Sequence, residues 1–219
     1  MDSTSELKRK SIQINPYFGI GLIWLFHLTA IIGIGLGEIN WFIEKTPLNL
    51  LLQISLLFSI FPIAKRREYL LFFLFFILGF GVEYIGVQYG VPFGDYSYGE
   101  NLGIKISDVP LLIGFNWALL IFVTVGISNY IKKSILVKSL IGASLMLILD
   151  VPMEIVAPKV NFWSFWEEVP LSNYVSWFLI SFVMQLIGHR FLLKGNRLFS
   201  LHLYVSQLCF FIYLVLALH

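Results

Sequence analysis

Long apolar segments, separated by short polar connections, make up most of this chain. Each is about 18–22 residues long, enough to cross a ~30 Å hydrocarbon core as an α-helix. The alternating segments of about ten residues that are typical of an outer-membrane barrel are absent. The pattern therefore predicts an all-α polytopic membrane protein, with a polar arm over 1–16 and one seven-helix membrane domain over 17–219. The predicted spans are 17–36, 46–64, 69–90, 109–129, 134–154, 170–189 and 199–218.

The basic residues are distributed unevenly between the two ends of these spans. Of the 15 Lys and Arg residues, only Lys45, Lys105 and Lys159 fall in connections on the C-terminal side of the membrane. The others lie in the N-terminal arm and in every second connection, and they are Lys8, Arg9, Lys10, Lys65, Arg66, Arg67, Lys132, Lys133, Lys138, Arg190, Lys194 and Arg197. Cytoplasmic loops carry such an excess. We therefore predict a cytoplasmic N-terminus, an external C-terminus and seven spans.

Composition supports the membrane assignment. The chain has 58% hydrophobic and 13% charged residues, whereas soluble domains carry about 25% charged residues. The net charge of +2 gives no reason to expect a nucleic-acid partner. Cys209 is the single cysteine, so an internal disulfide is excluded.

A carboxyl group at membrane depth marks the first candidate site. Glu83 lies about seven residues before the end of its predicted span, roughly 10 Å deep, within a stretch whose glycines at 79, 81, 86 and 90 let neighbours approach closely. Such a group is costly and needs a partner or a use. Glu83 is either a structural carboxyl bonded to a neighbouring helix, or a proton donor or pocket anchor.

A second acidic pair lies at the end of the fifth predicted span. Asp150 and Glu154 are four residues apart and share a helix face. Pro152 is expected to bend or end this helix and to free backbone carbonyls. Two carboxyls in a dry site tend to share a proton, which gives one acid and one base. The alternative is a solvated helix end, and Asp95, in the loop after Glu83, is a further candidate acid.

Other chemistries are less compatible with the sequence. An Asp-x-x-x-Glu pair could hold Mg²⁺, but the outer loops almost lack the Lys and Arg that would bind pyrophosphate. No metal site is predicted, because His27, His189, His202 and His219 show no ligand spacing. The last span has no lysine for a retinal Schiff base, which excludes a rhodopsin.

Aromatic and amide side chains complete the predicted site. An interfacial aromatic belt explains many of them without any function, but π faces also stabilise a carbocation in an apolar site. The candidate substrate-binding residues are Tyr84, Phe93, Tyr96, Tyr98, Asn116, Trp117, Trp163, Trp166, Asn173 and Trp177. Among the amides, Asn116 and Asn173 are candidates for positioning water, although each alone is more often a helix–helix hydrogen bond.

Several motifs together resemble a known family. They are WFIEKTPLNLLL at 41–52, EYIGVQYGVPFGDYSY at 83–98, LG at 102–103, VPLLIGFNW at 109–117, an aspartate–proline segment at 150–152 and FWSFWEEVPLSNYVSW at 162–177. In this order they resemble the integral-membrane carotenoid 1,2-hydratases, which include bisanhydrobacterioruberin hydratases and γ-carotene 1′,2′-hydratases. The family pattern centres on the position of Asp150 rather than Glu154.

The resemblance implies addition of water to the terminal C1=C2 bond of an acyclic carotenoid end of the lycopene or γ-carotene type. Protonation at C2 leaves a tertiary cation at C1, which water captures, and no cofactor is needed. Glu83 or Asp150 is then the expected acid, Asp95 the next, and Asn116, Asn173 and Tyr96 would orient water. The implied partners are the carotenoid, water and membrane lipids in a bacterial or archaeal cytoplasmic membrane, with an association with other enzymes of the pathway left open.

Two other functions fit the same residues. A carotenoid end-group cyclase or isomerase uses the same protonation but excludes water. A carotenoid- or lipid-binding membrane protein would hold the polyene without turnover. A transporter is disfavoured because no inverted repeat or pair of broken helices is evident.

Overall fold

Six long apolar helices form the body of the part of the protein that the structure describes. The computed structural model describes residues 14–61, 66–191 and 193–218. Within these ranges, the helices of sufficient length and apolarity to cross a membrane are Pro16–Gly35, Arg66–Tyr89, Leu111–Ser128, Ile135–Val160, Leu171–Arg190 and Arg197–Ala217. Each begins within three residues of a predicted span. The chain is therefore a mostly helical membrane protein.

The second predicted span, 46–64, corresponds to a shorter helix. Helix α3 covers Thr46–Ile60, and its 15 residues extend only about 22 Å. Residues 62–65 and the arm residues 1–13, which include Lys8, Arg9 and Lys10, lie outside the described ranges. The seventh span and the orientation of the termini stay predictions.

The helices pack around α5. In chain order they are α1 (Pro16–Gly35), α2 (Ile39–Ile43), α3 (Thr46–Ile60), α4 (Arg66–Tyr89), α5 (Leu111–Ser128), α6 (Ile135–Val156), α7 (Leu171–Arg190) and α8 (Arg197–Ala217). Helix α5 contacts α3, α4, α6, α7 and α8, and 13 of its 18 residues are buried. The surrounding helices keep large apolar side chains exposed, including Phe26, Phe73 and Leu179, as contact with lipid requires. The bundle thus buries one helix and uses the others as its wall.

Helix α7 carries an unusual buried face. Its residues at four-residue spacing are buried, and several of them are polar. Residues four apart share a helix face, so this face puts hydrogen-bonding groups in the interior, where each needs a partner. The residues are Asn173, Trp177, Ser181, Gln185 and His189.

Two short antiparallel sheets cover one end of the bundle, and the sequence analysis did not predict them. Strand β1 (Tyr96–Tyr98) pairs with β4 (Trp163–Phe165), and β2 (Lys105–Ile106) pairs with β3 (Val109–Pro110). The register places Tyr98 opposite Trp163 and Tyr96 opposite Phe165. Because strand side chains alternate between faces, these four aromatic rings turn to one side and the intervening serines are exposed. The all-α prediction is therefore incomplete in the two long connections.

Candidate active site

Glu83 is buried and accepts three hydrogen bonds. Its Oε2 atom accepts from the hydroxyls of Tyr96, at 2.5 Å, and Tyr98, at 2.7 Å. Its Oε1 atom accepts from Trp117 Nε1 at 2.9 Å. Three donors compensate much of the charge of a carboxylate that has been removed from water. Strand β1 and helix α5 thus hold the carboxyl group of Glu83 in a fixed orientation.

Small residues on α4 make this arrangement possible. Trp117 packs directly on the backbone at Gly79, where a Cβ atom would collide with its ring. Gly86 leaves space for Tyr96 and Phe93 in the same way. The predicted close approach to α4 is therefore found at these two glycines, whereas Gly81 has no neighbour within 4 Å.

Glu154 forms a second anchored carboxyl group. It is buried near the end of α6, where Oε2 accepts from Trp163 Nε1 at 2.8 Å and Oε1 from Asn173 Nδ2 at 2.7 Å. This contradicts the alternative in which Glu154 is a solvated helix end. Strand β1 supplies two donors to Glu83, and its partner β4 supplies one to Glu154, so the small sheet links the two acids.

Asp150 differs from both glutamates because no donor in the described part of the chain reaches its carboxyl group. It is 1% exposed, and neither Oδ1 nor Oδ2 has a hydrogen-bond partner among the described residues. Glu154 and Glu83 lie near enough to act on it electrostatically. An isolated buried carboxylate is costly, so the neutral acid is the form that this environment tolerates.

A small cavity lies between the two anchored glutamates. Its volume is about 20 Å³, enough for one water molecule, which needs about 10–15 Å³ and polar partners. Glu83, Glu154 and Asn173 supply such partners. The remaining lining residues are Phe93, Tyr96, Tyr98, Ile113, Asn116, Met153, Trp163, Phe165 and Trp177.

A larger apolar cleft adjoins this cavity. It has a volume of about 530 Å³, within the usual range for small-molecule sites of about 300–1,000 Å³. Its walls come from α1, α2, α3, α5, α6 and α8. It shares with the small cavity the residues Ile113, Asn116, Met153 and Trp163. One polar, water-sized space therefore meets one apolar space of ligand size.

The structure brings most of the predicted site residues together, but not all of them. Asp95 and Asp150 line neither cavity. The carboxyl group of Asp95 lies against Gly90, and Asp150 is buried one helical turn from Glu154. Tyr84, 37% exposed, and Trp166, 81% exposed, line neither cavity and face outwards. Trp117 acts behind the cavity, where it bonds Glu83 and stacks on Trp177 with ring centroids 4.0 Å apart.

The sequence does not indicate the apolar cleft, and three residues that line the small cavity are not among the candidates it gives. Ile113 and Met153 line both cavities, and Phe165 lines the small one. The Tyr-Ser-Tyr and Trp-Ser-Phe alternation at 96–98 and 163–165 is a strand signal that would have identified Phe165. Nothing comparable marks Ile113 or Met153, which are ordinary apolar residues in apolar helices. In the described ranges, no three His, Cys, Asp or Glu side chains come together as a metal site would require.

The two tyrosines that donate to Glu83 are expected to make the protein less stable against unfolding as the pH rises in alkaline solution. Burial, and then the charge of Glu83, raises the pKa of Tyr96 above its ordinary value of 10.0 and raises the pKa of Tyr98 likewise. Above pH 10.0 the unfolded chain loses these protons while the folded chain keeps them, so the free energy of unfolding falls as pH rises. Thermal unfolding on both sides of this pH, compared with Tyr96→Phe and Tyr98→Phe, measures the effect. The variants should show a shallower fall, and an unchanged slope would contradict the assignment.

Fold and site together define the class of the protein: a polytopic helical membrane protein with buried carboxyl groups at the junction of a polar cavity and an apolar cleft. The family of carotenoid biosynthesis proteins matches residues 46–219, and the chain belongs to this family.

Among curated proteins, the chain is similar to the bisanhydrobacterioruberin hydratase of Haloarcula japonica, with 28% identity over 148 residues. The match covers 62% of this chain and 50% of the relative, so the chain spans about half the length of that protein. No solved structure shows significant similarity to the chain.

Proposed function

We propose that this protein adds water to the terminal C1=C2 double bond of an acyclic carotenoid end group and forms a tertiary alcohol. The observation that carries the proposal is the water-sized cavity between Glu83 and Glu154, which has four lining residues in common with the apolar cleft. A hydrocarbon end and a water molecule can then meet beside two carboxyl groups. The family membership and the name of the Haloarcula relative, a hydratase, support the same reaction.

The carboxyl groups divide into an acid and a base according to their partners. Asp150 has no hydrogen-bond donor among the described residues and lies one helical turn from Glu154, so the two acids together carry one proton, because two ionised carboxyl groups in a dry site repel each other. Glu154 lines the cavity and is the group that delivers the proton to C2. Glu83, with three donors, tolerates the ionised form and is the base.

The reaction then balances without a cofactor. The proton from the Asp150–Glu154 pair adds to C2, and the π electrons of the double bond form the new C–H bond. The cation at C1 accepts the lone pair of the cavity water, whose proton passes to Glu83. Return of that proton to the Asp150–Glu154 pair restores the starting state, so alkene and water give the alcohol.

The aromatic residues around the cavity suit the cationic intermediate. Tyr98, Trp163 and Trp177 line it, and π faces stabilise a desolvated cation by about 1–2 kcal/mol each. Fixed carboxylate and ring positions replace the solvent reorganisation that the same step would require in water.

Expression in a lycopene-producing host, followed by mass analysis of the extracted pigments, tests the proposal. Pigment that has gained one water is the expected result, and a γ-carotene-producing host gives the second substrate class. Pigment converted without oxygen would indicate the cyclase or isomerase instead. Pigment that copurifies unchanged in both hosts would indicate a binding protein.

Asn116 is expected to influence which product forms. Its side chain lines both cavities, so Asn116→Leu removes a polar group from the passage between water and alkene. The cation should then lose a proton more often than it captures water, and the fraction of hydrated pigment should fall by about tenfold. Chromatography of the host pigments measures this fraction, with Tyr84→Phe as a control outside both cavities. A lower total turnover with an unchanged product ratio would contradict the assigned role.

A further inference from the structure

The apolar cleft has a polar patch on its wall, away from the carboxyl groups. His27 of α1, Gln53 of α3 and Gln207 of α8 line the cleft, and they are 2%, 3% and 7% exposed. Gln207 Nε2 donates to Gln53 Oε1 at 2.6 Å. None of the three lines the small cavity. The patch is therefore separate from the proposed reaction centre but belongs to the same ligand space.

The patch lies deep in its helices. His27 is eight residues before the end of α1 at Gly35, about 12 Å along the helix axis, whereas Glu154 is two residues before the end of α6 at Val156. Polar side chains at membrane depth are costly and usually serve a pathway or a ligand. Three of them in a cleft whose lining residues are mostly apolar are typical of a binding site with a few orienting groups.

The hydrogen bonds within the patch define what it offers to a ligand. His27 Nδ1 lies 2.8 Å from the carbonyl oxygen of Ile23, and because a carbonyl only accepts, Nδ1 carries the hydrogen. In the neutral ring Nε2 is then an acceptor. Gln53 uses its oxygen for Gln207, which leaves its Nε2 as a donor. One acceptor and one donor that line the same cleft complement a hydroxyl group, which donates one hydrogen and accepts another.

We propose that the cleft binds a carotenoid alcohol in preference to the corresponding hydrocarbon, with a hydroxyl of the bound end group on His27 and Gln53. This rests on the proposed function only in taking the cleft as the polyene site. A bound hydrocarbon would leave His27 Nε2 and Gln53 Nε2 desolvated and without a hydrogen-bond partner from the ligand. Sites built for a hydroxyl group reject analogues that lack it for this reason. A purely structural Gln53–Gln207 link between α3 and α8 would not need His27 in the same cleft.

Binding of a matched ligand pair tests the proposal. The probes are an acyclic carotenoid hydrocarbon and the same carotenoid with one tertiary hydroxyl in its end group, titrated into the full-length protein in lipid nanodiscs. Trp41 and Trp163 line the cleft, so quenching of tryptophan fluorescence by the polyene reports binding. We expect the alcohol to bind about tenfold more tightly, as two modest hydrogen bonds would give.

Variants separate the patch from the carboxyl groups. In His27→Phe and in Gln53→Leu the ratio of the two affinities should fall towards one, whereas Glu83→Gln should keep it. Gln185→Leu removes a buried glutamine elsewhere on α7 and should also keep the ratio. Equal binding of the two ligands by the wild type, or an unchanged ratio in both patch variants, would overturn the proposal.

The ratio of the affinities for the alcohol and the hydrocarbon is measured without any turnover of the substrate. A protein that forms no hydrated pigment in the host assay but prefers the alcohol would refute the proposed function and retain the hydroxyl site. A protein that hydrates the carotenoid but binds alcohol and hydrocarbon equally would support the proposed function and refute the hydroxyl site.

Discussion

Glu83→Gln is expected to lower formation of hydrated carotenoid by about 10²–10⁴-fold, the usual contribution of a general acid or base. The amide has nearly the shape of the carboxyl group but cannot take a proton from the cavity water. Its NH₂ group also faces donors, the two tyrosine hydroxyls or Trp117 Nε1, so the network must rearrange. Initial rates of product formation in membranes from the expressing host, normalised to protein amount, measure the loss.

Glu100→Gln is the matched control for this change. Glu100 is a surface carboxylate with an 82% exposed side chain, paired with Lys105 at 2.8 Å, and exposed pairs of this kind contribute little to stability. Its replacement should leave the rate of hydration within about twofold of the wild type. A Glu83→Gln protein that folds, binds the polyene and hydrates it at the wild-type rate would remove Glu83 from the mechanism.

The positions of the helices could be predicted from the sequence because the bilayer limits the choices. A run of about 20 apolar residues has to be helical in lipid, since only a helix satisfies its own backbone groups. The depth of Glu83 in one such run, and the four-residue spacing of Asp150 and Glu154, followed from the same regularity. Glu83 and Glu154 then meet around one cavity because α4 and α6 both pack on α5, and Asp150 lies one helical turn from Glu154 without lining that cavity.

The pairing of donors with acids could not be predicted, because it depends on the connections. Trp163 reaches Glu154 and Tyr98 reaches Glu83 only because β1 and β4 lie side by side, although Tyr98 and Trp163 are 65 positions apart in the chain. Local patterns carry no information on such long-range strand pairing. The polar patch of the cleft was hidden for the same reason: His27, Gln53 and Gln207 belong to three different helices, and each alone resembled an ordinary packing residue.

The hydrogen-bond partners of the three buried carboxyl groups also indicate which of them lowers the stability of the protein. Hydrogen bonds offset part of the free-energy cost of burying Glu83 and Glu154. Glu83 accepts three such bonds and Glu154 accepts two. Asp150 accepts no hydrogen bond from the described residues, and the ionised forms of Glu154 and Glu83 would repel an ionised Asp150. A group that lowers stability without compensation persists where function requires it. Opposite effects on stability are therefore expected when the two acids of α6 are replaced.

Asp150→Val should raise the free energy of unfolding by about 1 kcal/mol, because an apolar side chain of similar size replaces a buried group with unmet hydrogen bonds. Glu154→Leu should lower it by about 2–4 kcal/mol, because Trp163 Nε1 and Asn173 Nδ2 each lose an acceptor at about 1–3 kcal/mol. Both variants should lose hydration activity, since each removes one of the two carboxyl groups that together carry the proton. Thermal unfolding in detergent, beside pigment analysis, separates the two effects. A stabilised Asp150→Val protein with full activity would show that the Asp150 carboxyl group takes no part in the reaction, and a destabilised one would show that it has a partner in the native state.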